Sequence, residues 1–109
     1  MEAQYTPREV AELLGRGEIQ LIDVRQPYEH QAGRIAGDRL LELGDLAARA
    51  QEIDGDKPVV FYCRSGARSA MATQAFRQAG FEAYNMTGGL LQWEASELPL
   101  EPPDGYVAD

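Results

Sequence analysis

Short apolar runs alternate along this chain with stretches whose apolar residues recur at helical spacing. Val59-Val60-Phe61-Tyr62 is the clearest run; Pro58 introduces it and Cys63 ends it, which predicts a buried strand. Glu18 to Val24 predicts a second strand, broken by Pro27, and Arg39-Leu40 and Ala83–Met86 predict two shorter ones. Thr6-Pro7-Arg8-Glu9 is a capping box with proline at the first helical position, so a helix follows with Val10, Leu13 and Leu14 on its apolar face before Gly15. A short helical turn is expected over 28–32, stopped at Gly33, and a helix over 43–52 with Leu46, Ala47 and Ala50 inward. The Ala-rich stretch 67–79 predicts a helix burying Met71, Ala72, Ala75, Phe76 and Ala79 and ending at Gly80. Gly88-Gly89 opens a last helix carrying Leu90, Leu91 and Trp93. Strands alternating with helices make this an α/β domain with a mostly parallel central sheet flanked by helices.

Length and charge narrow the picture. The 109 residues suit one domain over 1–109, with a core from about residue 5 to 99 and an extended surface tail over 100–109. Ten basic against eighteen acidic side chains give a net charge of −8, which argues against nucleic acid or an anionic membrane as partner. Cys63 is the only cysteine, so no internal disulfide forms, and no CxxC or Cys/His cluster offers a metal site. A reducing compartment fits. With no basic and apolar leader at the start and no apolar run of about 18 residues, the expected location is cytoplasmic.

The chemistry gathers at that cysteine. A lone cysteine is commonly a small buried hydrophobe, but Cys63 lies where a strand meets a Gly-containing loop, Arg64-Ser65-Gly66-Ala67-Arg68-Ser69, that leads into a helix. Backbone N–H groups at such a helix start, with the positive end of the helix dipole, favour an anion at the loop centre. The anion would be the Cys63 thiolate, and Arg64 and Arg68 would reinforce the field. Such surroundings lower a thiol pKa from ~8.5 toward ~3.5–7.5. The strand's C-terminal end is also where open α/β sheets bind ligands. Asp23 and Arg25 read as a structural salt bridge, and His30, the only histidine, as a solvated side chain rather than a base. Gly88-Gly89 and Trp93 fit helix entry and core packing, since no phosphate-loop motif is present.

CRSGARS after a strand resembles the active-site loop of the rhodanese family of sulfurtransferases. Two further segments carry the likeness: Leu21-Ile22-Asp23-Val24-Arg25 with Pro27, Glu29 and Gly33-Arg34-Ile35-Ala36-Gly37, and Met86-Thr87-Gly88-Gly89-Leu90-Leu91-Gln92-Trp93. The resemblance implies a ping-pong transfer through a persulfide on Cys63. A thiosulfate-like donor would supply the sulfur; cyanide, a thiol or a thiol-bearing protein would accept it. It implies neither metal nor organic cofactor. Arg64 and Arg68 would balance the donor's charge, and the N–H groups of Ser65, Gly66, Ala67, Arg68 and Ser69 would cradle the sulfur. Cysteine phosphatases and arsenate reductases use a wider C-x5-R loop; here Arg68 comes one residue early and Ser69 stands at the phosphatase arginine position. A non-enzymatic binding or redox-sensing module of the same fold stays open. Arg34 stands where the family has histidine, and Gly37-Asp38 where it has Gly-Ala, so altered local packing is expected there.

Overall fold

The run Val59–Tyr62 lies in the middle of a five-stranded sheet in a computed structural model that describes residues 3–109. The elements in chain order are β1 (Gln4–Tyr5), α1 (Pro7–Gly15), β2 (Gln20–Asp23), α2 (Pro27–Ala32), β3 (Arg39–Leu40), β4 (Val59–Tyr62), α3 (Ala67–Gln78), β5 (Ala83–Met86) and α4 (Gly89–Ala95). The strand order is β1-β5-β4-β2-β3, and every pairing is parallel. All four residues of β4 are buried because helices cover both faces, which is why its sequence is a continuous apolar run rather than an alternation.

Side chains leave β4 alternately to the two faces, and two cores result. Val59 and Phe61 pack with Ile22, Leu46, Ala72 and Phe76 on the α3 side; Val60 and Tyr62 pack with Val10, Leu21, Leu90 and Trp93 on the other. Cys63, the next residue, continues the alternation onto the α3 face. The capping box forms as expected: the Glu9 N–H donates to Thr6 Oγ1 at 3.2 Å, and the Thr6 N–H donates to Glu9 Oε1 at 2.8 Å.

Three expectations are corrected. Residues 43–52 form no continuous helix but two short 3-10 turns, Leu43–Asp45 and Ala50–Glu52, with Leu46 buried and Ala47 exposed. Gly44 weakens the first turn, while Leu43 and Ala50, partly buried, pack with Leu46 against the same core without a continuous helix. In α3 the buried residues are Ser69, Ala72, Thr73 and Phe76, while Met71 is 63% exposed and Ala75 and Ala79 face solvent. The stripe is rotated because Ser69 is turned toward the Cys63 sulfur, and Thr73 one turn later donates to the Ser69 carbonyl at 2.8 Å. The C-terminal segment is extended but not solvated throughout. Arg34 and Glu101 exchange backbone hydrogen bonds at 2.8 and 3.0 Å, the Tyr106 N–H donates to the Ala32 carbonyl, and Ala108 is buried.

Candidate active site

Cys63 leaves the C-terminal end of β4 between β5 and β2, and its loop turns at once into α3. Gly66, the N-cap of α3, has φ +106°, a left-handed conformation in which a side chain is strained. That turn aims its N–H at the sulfur: Gly66 N lies 3.0 Å from Cys63 Sγ, and Ser69 Oγ lies 3.3 Å from it. Burial pushes the Cys63 thiol up, but the Ser69 hydroxyl and the N–H groups of Ser69, Gly66 and Ser65 outweigh it, so the thiol titrates below its ordinary range. The residue is 1% exposed. Ala67 and Ser65 are exposed at the loop surface, and Arg64 and Arg68 stand half-buried beside them.

A second element turns the loop's carbonyls away from the sulfur. The Leu90 N–H donates to the Cys63 carbonyl at 2.8 Å and the Leu91 N–H to the Arg64 carbonyl at 3.0 Å, so the first turn of α4 takes the oxygens. Such an approach requires Gly89: a Cβ there would lie 2.4 Å from the Arg64 oxygen and 2.6 Å from the Cys63 oxygen. The double glycine therefore clamps the loop, a role beyond the helix entry expected of it. Its signal in the sequence is the pair itself, without any indication of what it approaches.

Neither expected guanidinium is free. Arg68 forks onto Glu29, with Nη1 and Nη2 each 2.9 Å from a carboxylate oxygen, and Arg64 Nη2 lies 2.8 Å from Asp109 Oδ1. The positive field expected at the thiol is thus partly compensated, and the N–H groups and Ser69 lead in stabilising the thiolate. Burial pushes Glu29 up, yet the Arg68 fork, the Gln26 N–H and both nearby arginines hold it below the ordinary carboxylate range. Because the folded form binds its proton less readily than the unfolded chain, this pair stabilises above the unfolded value of ~4.3 and is lost as pH falls through the folded one. Arg68→Ala should therefore lower stability at pH 7 by about 1 kcal/mol, a small figure because water screens a partly exposed partner, and should shrink the loss of melting temperature below pH 4. Equal acid sensitivity in parent and variant would contradict the assignment.

On the other side of β4, Asp23 and Arg25 form the expected ion pair, fully buried, with Arg25 Nη2 2.8 Å from Asp23 Oδ2. His30 is not solvated: its Nε2 lies 3.1 Å from Asp38 Oδ1, and the Tyr62 hydroxyl donates to Asp38 Oδ2 at 2.6 Å. Asp38 thus occupies the departure from Gly-Ala with a network of its own; burial pushes its carboxyl up despite the Tyr62 hydroxyl and His30. Arg34, in place of the family histidine, lies 3.5 Å from Glu101 and pins the C-terminal segment. Asp23, His30 and Asp38 bring ligand atoms within 4.8 Å of one another, but Arg25 and Tyr62 already take lone pairs a cation would need. Among the described residues, no helix is long and apolar enough to cross a membrane.

Known proteins resemble this chain in sequence and in fold. YqhL of Bacillus subtilis is 45% identical over 80 residues, 72% of this chain, and the chain spans 64% of YqhL's length. The thiosulfate sulfurtransferase GlpE of Pseudoalteromonas translucida is 35% identical over 86 residues, covering 78% of this chain and 82% of GlpE. A rhodanese-related protein of Thermoplasma volcanium superposes with a TM-score of 0.83 at 25% identity, over 89% of this chain and 95% of that one. With a five-stranded parallel sheet and the rhodanese-like domain pattern matching residues 6–96, the chain belongs to the rhodanese-like domain family.

Proposed function

We propose that this domain is a sulfurtransferase in which Cys63 carries a sulfane sulfur between a thiosulfate-like donor and a thiophilic acceptor. The observation that carries the reading is the sulfur's setting, with Gly66 N at 3.0 Å and Ser69 Oγ at 3.3 Å at the start of α3. In the first step the Cys63 thiolate attacks the outer sulfur of thiosulfate. A new S–S bond forms, the donor's S–S bond breaks, and sulfite leaves with the bonding pair. The N–H groups of the loop, Ser65 to Ser69, then hold the terminal persulfide anion, with Arg64 and Arg68 at the rim where the donor's oxygens arrive. In the second step cyanide, a thiol or a protein thiol attacks the outer sulfur, and the thiolate of Cys63 leaves. No metal or cofactor enters. Relatives bearing the name sulfurtransferase, at 35–37% identity, support this chemistry.

At the position where a phosphatase loop has its arginine, Ser69 turns its hydroxyl to the sulfur, which favours sulfur over phosphate as cargo. Incubation with thiosulfate should add one sulfur atom to the protein's mass, and cyanide should remove it as thiocyanate. Cys63→Ser should abolish both. A protein whose mass never changes, or one that hydrolyses aryl phosphates readily through Cys63, would overturn the proposal.

A further inference from the structure

Asn85 lies in β5, opposite Phe61 of β4, where a buried parallel strand ordinarily carries apolar residues. Its carbonyl oxygen Oδ1 is buried and has no hydrogen-bond partner, whereas its Nδ2 donates to the Gly66 carbonyl at 3.3 Å. The reverse orientation of the amide would set two oxygens against each other, so Gly66 fixes which way the side chain points. Gly66 is the residue whose N–H meets the sulfur. The same carbonyl lies 3.2 Å from Ser69 Oγ, which is also 3.3 Å from Cys63 Sγ. A hydroxyl has one proton, so Ser69 can donate to the Gly66 carbonyl or to the sulfur, not to both.

We propose that Asn85 is a positioning residue for the sulfur-carrying cysteine. The Ala70 N–H takes one lone pair of the Gly66 carbonyl at 3.0 Å, and the Asn85 Nδ2–H takes the other, for which Ser69 competes, so that the Ser69 hydroxyl is free to turn to the sulfur when it is an anion. This deepens the sulfurtransferase reading and rests on it for the persulfide step, but the thiolate arm stands without it. When Sγ carries the charge, Ser69 donates to it, and Asn85 with the Ala70 N–H, 3.0 Å away, serves the carbonyl. When the charge moves one atom outward to the persulfide terminus, Ser69 returns to the carbonyl. An asparagine is kept in the core with an unpaired carbonyl because only its donor is used.

The test measures alkylation of Cys63 by iodoacetamide against pH, and sulfur loading from thiosulfate, in the parent, Asn85→Ala, the nearly isosteric Asn85→Leu, and both in a Ser69→Ala background. Both Asn85 variants should move the alkylation midpoint up by about half a pH unit or more and slow sulfur loading about fivefold, the size of a lost neutral hydrogen bond. In the Ser69→Ala background the same substitutions should move the midpoint by clearly less, because their effect runs through that hydroxyl. A merely structural asparagine would change melting temperature and leave both midpoints alone. In the unmodified protein, the Asn85 side-chain amide signal in a nitrogen-15 spectrum should shift with the midpoint of Cys63 ionisation, a measurement that needs no variant to fold. An unmoved midpoint, an equal shift with and without Ser69, or an amide signal that stays still through the titration overturns the proposal. A parent that never takes up sulfur would sink the sulfurtransferase reading while leaving the alkylation arms to judge Asn85.

Discussion

Gly89→Ala should disable the loop while every residue of the loop itself is kept. The new Cβ would lie 2.4 Å from the Arg64 oxygen and 2.6 Å from the Arg64 carbon and the Cys63 oxygen, all backbone atoms that cannot swing aside as a side chain would. The position also has φ +63°, which strains any residue but glycine. Clash and strain together should cost about 2–4 kcal/mol. The relief available is to move α4 off the loop, which releases the Leu90 and Leu91 N–H groups from the Cys63 and Arg64 carbonyls. Those carbonyls are then free to rotate inward and the loop N–H groups outward, so the midpoint of Cys63 alkylation should rise toward that of an ordinary thiol. Sulfur loading should fall on the order of a hundredfold, as when a preorganised donor is removed from an anion site. Gly15→Ala is the control, since a Cβ there meets nothing within 4 Å and its φ is not in the left-handed range. It should leave loading unchanged and keep or slightly raise the melting temperature. A Gly89→Ala protein that melts and loads sulfur like the parent would mean the clamp is dispensable.

What the sequence discloses about this fold is what its local signals encode. The β4 run, Gly66 and the start of α3 are written in adjacent residues, so strand, turn and helix are legible together, and with them the turn that brings the Gly66 N–H to Sγ. The capping box of α1 is legible for the same reason. β1 escapes because Gln4 and Tyr5 have no apolar period; they are a strand only because Asn85 and Thr87 donate to Ala3 and Tyr5 across the sheet edge and Tyr5 stacks on Tyr84 at 4.5 Å. The buried face of α3 is misread because a helix whose first turn must serve a sulfur buries Ser69 and Thr73 in preference to Met71, and hydrophobicity alone does not encode that duty.

Partners distant in sequence are the other blind spot. Glu29 and Arg68 both belong to segments with a familiar pattern, yet nothing local pairs them across 39 positions. Asp109 on Arg64 and Asn85 on Gly66 are of the same kind. The sequence therefore names the groups with reactive chemistry, and the fold decides which of them are free. Two arginines that look like an open anion clamp are each held by a carboxylate, and an unremarkable strand asparagine becomes part of the loop's support.

Arg25→Ala should be the most destabilising single change on the face of the sheet opposite Cys63. Asp23 and Arg25 are both fully buried, and the guanidinium gives Nε and Nη2 to the carboxylate at 2.8–3.1 Å and Nη2 also to the Gly33 carbonyl at 2.7 Å. Its carbon stands 5.5 Å from the centre of the Tyr62 ring. One side chain thus ties the end of β2 to the turn after α2 and to β4 just before Cys63. Burial alone would lower the pKa of Arg25, but the hydrogen bonds and charge of Asp23 more than reverse this, so the arginine stays charged. Truncating it leaves the Asp23 carboxylate in the core with the backbone N–H of residue 25 as its remaining support, at a cost of about 3–5 kcal/mol. Against a typical stability of about 5–15 kcal/mol, that should lower the melting temperature by roughly 15–30 °C. The double substitution Asp23→Leu, Arg25→Met should recover much of the loss, because it removes both charges rather than stranding one. Acid separates this account from a simple packing defect. A stranded buried carboxyl takes up a proton on folding, so the folded state of Arg25→Ala binds more protons than its unfolded state, and its stability rises as pH falls. Between pH 7 and pH 5, above the range in which Glu29 is lost, the gap in melting temperature between Arg25→Ala and parent should narrow, and for the double variant it should stay level. A gap that holds constant or widens on acidification would show that lost packing, not an uncompensated charge, is what the substitution costs.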